Sequence, residues 1–282
     1  MVGSGCSATP VSRSAEPRPI GVFDSGVGGL TVLAALEQAL PTESFVYLGD
    51  TARLPYGTKS AASVERYALQ CAAALVARHV KALVVACNTA SAAALPALRQ
   101  AYPDMPIVGV ISPGAEAAVA VTRNRRIVVL ATEGTVRAGA YQNAIAQLDA
   151  HASVMAVGCS VFVALAEEGW GEGDIAERVA RRYLGDLFNR DDAPDTLLLG
   201  CTHFPLLRRT LAAIVPAGVS IVDSAQTTAA AVAALIQSDP ASADQRGRST
   251  FLATDSPERF ARVGGLFLGR PIQAAVVERV DV

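Results

Sequence analysis

Two cysteines, Cys87 and Cys201, follow predicted buried strands, at positions where a thiol can do chemistry. The apolar run 83–86 leads into the first cysteine, and the run 197–199 leads, after one glycine, into the second. Ligands bind at the carboxyl ends of strands in open α/β sheets. A cysteine there faces backbone N–H groups and a positive helix end, which stabilise a thiolate. Amide, hydroxyl and imidazole side chains follow both cysteines, namely Asn88, Thr89, Thr202 and His203.

The pair of thiols has several interpretations. A disulfide is disfavoured because the chain has five cysteines, an odd count without framework spacing. A metal site from Cys87, Cys201, His203 and Asp24 would lack the compact C-x-x-C spacing of structural zinc sites. A nucleophilic cysteine with His203 as its base would leave Cys87 without a role.

A fourth interpretation gives both thiols a role, one as a base and the other as an acid. Inverting a carbon centre without a cofactor requires a base on one face of the carbon and an acid on the other, and thiols near pKa ~8.5 suit both roles. Asp24 can assist Cys87, while His203, with Glu167, can assist Cys201. The neighbouring side chains would then hold the carboxylates of a substrate, and they are Asn88, Thr89 and Thr202.

The length, hydrophobic content and net charge of the chain limit the classes of protein to which it can belong. The chain has 282 residues, enough for two domains, and 51% of them are hydrophobic. A net charge of −2 gives no reason to expect nucleic acid or an anionic membrane as a partner. No apolar run approaches the ~18 residues that span a bilayer, so no membrane partner is expected. We see no secretory signal and predict a reducing, cytoplasmic location.

The strand pattern predicts an α/β fold. Two successive runs of strand, polar turn and helix appear, with predicted strands at 20–23, 45–50, 83–86 and 107–111, then at 127–131, 153–157, 197–200 and 220–224, and a late strand at 250–253. Each run carries one strand-end cysteine. We therefore predict two similar parallel-sheet α/β domains that face each other across an active-site cleft. Residues 1–18, which include Cys6, are predicted to be a flexible tail, and 241–248 a polar loop.

The first strand is followed by a glycine-rich turn at 24–29. Its spacing matches neither a Walker loop nor a dinucleotide fingerprint. Asp24 is either a helix N-cap or a carboxylate beside a reactive group. Cys71 lies on the apolar stripe of a predicted helix, so we interpret it as a core residue.

Four stretches together resemble glutamate racemases. They are GVFDSGVGGLTV at 21–32, GDTARLPYG at 49–57, ACNTAS at 86–91 and GCTHFPLL at 200–207. The similarity runs in register from about residue 20 to residue 267, with further agreement at 223–224 and 255–260. Four long motifs in order are far more specific than any single motif.

The resemblance implies cofactor-independent interconversion of L- and D-glutamate, without a metal, to supply D-glutamate for peptidoglycan. Cys87, assisted by Asp24, resembles the thiol that acts on D-glutamate. Cys201, assisted by His203 and Glu167, resembles the thiol that acts on L-glutamate. The resemblance implies ten substrate-binding positions, which are Asp24, Ser25, Tyr56, Gly57, Asn88, Thr89, Thr132, Thr135, Thr202 and His203.

The resemblance also implies a domain division. The first domain would comprise 19–111 plus 224–282, and the second 112–223. A homodimer and activation by a cell-wall precursor stay open, as do a related aspartate racemase and a non-catalytic amino-acid-binding protein. Both cysteines argue against the binding protein, which would be expected to lose one.

One segment departs from the family pattern. Glutamate racemases usually carry Cys-Pro-x-x-x-Pro-Leu-Val-Glu where this chain has Ser160 and Ala164 in place of the two prolines. We expect a less rigid loop there, and the position of Glu167 depends on that loop. Cys159 is interpreted as structural.

Overall fold

The computed structural model describes residues 18–189, 191–236 and 247–282. The predicted flexible tail therefore lies, except for Arg18, outside the described residues, and so does Cys6. The predicted polar loop at 241–248 also falls outside them up to residue 246. Within the described ranges no helix has the length and apolar character needed to cross a bilayer.

Strands and helices alternate along most of the chain. In chain order the strands are β1 (Ile20–Asp24), β2 (Phe45–Gly49), β3 (Ala82–Val85), β4 (Ile107–Gly109), β5 (Arg126–Ala131), β6 (Ser153–Gly158), β7 (Thr196–Gly200), β8 (Ser220–Asp223), β9 (Ser249–Ala253) and β10 (Val277–Arg279). The α-helices are α1 (Leu30–Ala39), α2 (Ala61–Val76), α3 (Asn88–Ala101), α4 (Ile111–Val121), α5 (Glu133–Arg137), α6 (Ala140–Leu148), α7 (Val161–Glu167), α8 (Asp174–Leu184), α9 (Arg208–Ile214), α10 (Ser224–Leu235) and α11 (Pro257–Leu268).

The strands form two parallel sheets, which confirms the predicted fold class. The first sheet has the order β10-β9-β2-β1-β3-β4 and the second the order β6-β5-β7-β8. Continuous apolar strands such as β3 and β7 are typical of sheets covered by helices on both faces. The domain boundaries at 111 and 223 stay a prediction.

Both sheets repeat one strand order. Four strands of the first sheet, β2-β1-β3-β4, correspond to β6-β5-β7-β8 of the second. Strands β3 and β7 therefore hold equivalent places, and Cys87 and Cys201 follow them. By the same correspondence Asp24, at the end of β1, is matched by Thr132, just after β5.

The two sheets share a continuous apolar core. One cluster of buried side chains includes Val22 and Val84 of the first sheet together with Val128 and Leu199 of the second. Helix α10 packs against both α1 and α4, which joins the two halves. Close packing of this kind holds the strand ends of both sheets in a fixed relation. Cys71 is fully buried in a separate core cluster, as predicted.

Some predicted element ends are wrong. The predicted strand 107–111 ends at Gly109, and α4 begins at Ile111, so that Pro113 lies in the first helical turn. Proline is tolerated there because the first N–H groups of a helix have no partner within it. The short strand β10 was not predicted.

Candidate active site

A cavity of about 250 Å³ contains both strand-end cysteines. It lies where the carboxyl ends of the two sheets meet. Most of the predicted catalytic and substrate-binding residues line it, namely Asp24, Ser25, Tyr56, Gly57, Cys87, Asn88, Thr89, Thr132, Glu167, Cys201, Thr202 and His203. Thr135 is the exception, because it lies behind the wall. Seven further residues line the cavity that were not predicted as site residues, namely Gly26, Leu54, Pro55, Thr58, Ser160, Val163 and Ala164.

Cys87 is the N-cap residue of α3. Its sulfur accepts a hydrogen bond from the backbone N–H of Ala90 at 3.5 Å, and its thiol donates to Ser25 Oγ at 3.6 Å. Burial raises the pKa of Cys87 to about 12, and the nearby carboxylate of Asp24 adds to the rise. Cys87 is therefore held as a protonated thiol, ready to donate.

Asp24 borders the cavity with its carboxyl group, whereas the predicted role as helix N-cap is wrong, because the N-cap residue of α1 is Gly29. Its Oδ2 accepts hydrogen bonds from the backbone N–H groups of Gly26 at 3.1 Å and Gly29 at 3.0 Å, which fixes the glycine-rich turn. The hydroxyl of Ser25 lies 3.5 Å from its Oδ1 and connects it to Cys87. Burial raises the pKa of Asp24, whereas His203 and the backbone donors oppose that rise. The carboxyl group thus stabilises the turn and borders the cavity.

Cys201 faces a different partner. Its sulfur lies 3.8 Å from His203 Nδ1, and His203 Nε2 lies 3.2 Å from Glu167 Oε1. Burial by itself lowers the pKa of His203, but hydrogen bonds to Cys201 and Glu167 outweigh it and raise the pKa to about 10. His203 is therefore an imidazolium at neutral pH, beside the sulfur. A cation in that position activates a cysteine.

The missing prolines do not displace Glu167. Helix α7 forms without them, and Glu167, its last residue, reaches both the cavity and His203. Its second oxygen, Oε2, pairs with Arg259 at 2.9 Å. Burial by itself would raise the pKa of Glu167. Hydrogen bonds from His203 and Arg259 lower this pKa by more than burial raises it, so it lies below the ordinary value. The side chain is therefore a carboxylate.

Three threonine hydroxyls meet between the two halves of the chain. Thr89 Oγ1 lies 2.9 Å from Thr132 Oγ1 and 3.3 Å from Thr135 Oγ1, and the latter two are 3.2 Å apart. Gly57 lies against Thr132, where an added Cβ would come within 2.8 Å of that side chain. Thr135 therefore contacts the lining threonines.

Two predicted substrate-binding side chains have strong partners outside the cavity. Asn88 Nδ2 donates to Tyr141 Oη at 2.7 Å, whereas its buried Oδ1 has no hydrogen-bond partner. The Tyr56 hydroxyl donates to the buried carboxylate of Asp50, and Arg53 Nε binds the same carboxylate at 2.6 Å. Asn88 Oδ1 is thus available to a ligand, while the Tyr56 hydroxyl is already bound.

Some residues in and around this cavity could not have been identified from their residue type alone. Val163 and Ala164 are apolar positions on a short helix, and Arg259 is one of several arginines in the C-terminal part. Near Arg259, the one signal in the sequence is the family resemblance of residues 255–260. Among the described residues, no three histidine, cysteine or acidic side chains are grouped to hold a metal ion.

Known proteins are similar in sequence to this chain over most of its length. Residues 20–232 match the family model described as Asp/Glu/Hydantoin racemase. A glutamate racemase from Geobacter metallireducens is 50% identical over 256 residues, which cover 89% of this chain and 93% of that protein.

Solved structures agree in fold. A glutamate racemase isoform from Bacillus anthracis superposes with a TM-score of 0.86 at 37% identity, covering 94% of this chain and 98% of that one. The Escherichia coli glutamate racemase, solved with L-glutamate and the activator UDP-MurNAc-ala, superposes with a TM-score of 0.76 at 32% identity, covering 94% and 99%. The family match over most of the sequence and these identities show that the chain belongs to the Asp/Glu/Hydantoin racemase family and, within it, to the glutamate racemases.

Proposed function

We propose that this enzyme interconverts L-glutamate and D-glutamate, without a cofactor, by moving a proton at the α-carbon between two thiols. The observation that carries the proposal is the position of Cys87 and Cys201. They follow equivalent strands of two sheets with the same strand order, and both line one cavity of amino-acid size. Relatives at up to 50% identity are glutamate racemases.

The reaction from L-glutamate would start at Cys201. Its thiolate, beside the imidazolium of His203, takes the α-proton, so that the Cα–H bond breaks and an S–H bond forms. The electron pair left on the α-carbon is delocalised into the α-carboxylate. Cys87, held as a thiol, then delivers its proton to the opposite face and becomes a thiolate. The reaction from D-glutamate runs through the same steps in reverse.

The remaining lining residues would bind and orient the substrate. Asp24 offers a carboxylate to the α-ammonium group, and Asn88 Oδ1 offers a free buried acceptor to the same group. Fixed N–H and hydroxyl donors stabilise negative charge on the substrate carboxylates without reorganising. The donors would come from Ser25, Thr89, Thr132, Thr202 and His203, while Tyr56 and Gly57 would contribute ring or backbone contacts. Thr135, behind the cavity wall, would orient the hydroxyls of Thr89 and Thr132.

The wider role of the enzyme follows from the resemblance. We propose that it supplies D-glutamate for peptidoglycan in the cytoplasm. We keep the domain division at 111 and 223 as part of the proposal, supported by the sheet to which each strand belongs. Since the Escherichia coli relative was solved with an activator, a cell-wall precursor belongs among the compounds to be tested.

The decisive experiment is proton NMR of the purified enzyme with L-glutamate in D₂O, with no cofactor added. We expect the α-proton signal to disappear while optical rotation falls to zero. Exchange with L-aspartate but not with glutamate would retain the two-thiol chemistry and overturn the substrate. If neither amino acid exchanges, even with UDP-MurNAc-ala present, the racemase proposal is wrong.

A further inference from the structure

A row of charged groups leads away from Cys201 to the surface. It runs from the sulfur to His203, on to Glu167 and ends at Arg259, with separations of 3.8, 3.2 and 2.9 Å. The exposed fraction of the side chain is 8% for His203, 14% for Glu167 and 42% for Arg259. Arg259 is not among the cavity-lining residues, and its hydrogen bond to Glu167 connects it with the reacting groups.

We propose that Arg259 is a positioning residue for the Cys201 half of the reaction. This inference rests on the proposed racemisation. Arg259 binds one carboxylate oxygen of Glu167, which leaves the other oxygen aimed at His203 Nε2. Hydrogen bonds between ionised groups are stronger and shorter than neutral ones, and they restrict rotation. Arg259 therefore fixes the imidazolium in contact with the sulfur.

The fold gives this contact a particular importance. Arg259 lies in the first turn of α11, which packs against α1 and β10 on the first sheet. Glu167 ends α7 and His203 follows β7, both on the second-sheet side. Phe267, also on α11, packs edge-on against His203 with ring centroids 4.9 Å apart. One helix of the first half thus holds the proton-transfer group of the second half at two points.

The effect should be confined to one face of the substrate. Among the residues that the structure describes, Arg259 hydrogen-bonds to Glu167, whereas Ser25 and Asp24 are the partners on the Cys87 side. Without Arg259, the Glu167 carboxylate can rotate and His203 loses its fixed contact. Proton transfer at Cys201 then slows, while transfer at Cys87 keeps its rate.

The test uses Arg259→Met, which keeps chain length without charge, and Arg259→Lys, which keeps the charge. Arg262→Met is the matched control, because Arg262 is an exposed arginine on the same helix. We expect kcat to fall by about 10- to 100-fold in Arg259→Met, in line with the cost of small displacements in an active site. Arg259→Lys should recover a large part of the rate, and the control should match the wild type.

Kinetic isotope effects separate positioning from a general structural defect. With α-deuterated L-glutamate, the isotope effect on kcat/KM should rise in Arg259→Met, because the Cys201 step becomes limiting. With α-deuterated D-glutamate it should fall toward the equilibrium isotope effect, because the labelled proton leaves in the fast, reversible Cys87 step. Isotope effects that stay as in the wild type, or an unchanged kcat, would overturn the inference. Circular dichroism verifies that each variant is folded.

A double-variant cycle tests whether Arg259 acts through Glu167. In a Glu167→Gln background, Arg259→Met should change kcat by less than about 2-fold, since coupled residues are not additive. A full additional loss in that background would contradict the inference. The wild-type enzyme is assayed in the same series to separate the two proposals. If the wild type does not racemise glutamate, the proposed function itself is wrong.

Discussion

Gly28 lies directly against the imidazole of His203, with no room for a side chain between them. A Cβ added at Gly28 would overlap ring atoms Nδ1 and Cε1 of His203 and come within 2.7 Å of Thr202 Oγ1. We therefore expect Gly28→Ala to displace His203 from Cys201 and to lower kcat by about 100-fold. Steady-state racemisation rates with both enantiomers provide the measurement.

Gly26 offers a control within the same turn. A Cβ there would meet only Leu54, at an ordinary contact distance of 3.5 Å. Gly26→Ala should therefore lose far less activity than Gly28→Ala. Equal losses in the two variants would mean that the turn is intolerant of any side chain and that the His203 contact is not the cause.

Replacing either strand-end thiol should stop turnover. Cys87→Ser and Cys201→Ser should each lower racemisation by about 10²–10⁴-fold, because a hydroxyl is a far weaker acid and base at neutral pH than a thiol. Cys159→Ala is the control, since Cys159 is buried outside the cavity and should retain near wild-type turnover. Substantial turnover in either serine variant would rule out the two-thiol mechanism.

Alkylation should distinguish the two thiols. Cys87 has a pKa raised to about 12 by burial and Asp24, whereas Cys201 lies beside the His203 imidazolium. Because the thiolate is the nucleophile, iodoacetamide at about pH 8 should modify Cys201 before Cys87. Peptide mass spectrometry identifies the site, and glutamate should protect it. Inactivation without protection would locate the reactive thiol outside the cavity.

His203 should make stability depend on pH. Its pKa is raised from 6.5 to about 10, so the folded state binds a proton that the unfolded state releases. That stabilisation is complete below about pH 6.5 and is lost as pH rises toward 10. Between these values, unfolding free energy should decline by up to about 1.4 kcal/mol per pH unit from this group.

Urea denaturation at about pH 6.5 and pH 8.5 measures this slope. His203→Gln should show a flatter dependence than the wild type over the same interval. Cys87 is present in both proteins, so ionisation of its thiol in the unfolded state contributes equally to the two slopes and cancels from the comparison. Parallel slopes in the two proteins would show that His203 is not protonated in the folded enzyme.

The position of the thiols could be predicted from local sequence. Runs such as 83–86 and 197–199 are apolar, short and followed by polar residues, a pattern that indicates the carboxyl end of a buried parallel strand. Two such ends meet in one cavity because both sheets have the same strand order. That shared order depends on pairing between distant strands, which no local pattern encodes.

Other contacts arise only from tertiary structure. Arg259 and Glu167 form an ion pair although they are 92 positions apart in the sequence, and no sequence motif contains both residues. Tyr56 was predicted as a substrate-binding position and lines the cavity, but the sequence did not indicate that its hydroxyl donates to Asp50. Glu167 keeps its place without the two prolines because helix packing at Phe162 and Leu165 holds α7.

The position of β9 between β2 and β10 has a consequence for synthesis on the ribosome. The first sheet receives these last two strands, and α11 between them, from the final part of the chain. A nascent chain that ends before β9 already contains Cys87, Cys201 and His203, yet β2 still has an unpaired edge. The sheet that carries Cys87 is therefore completed only when β9 and β10 have been synthesised, after every residue that lines the cavity.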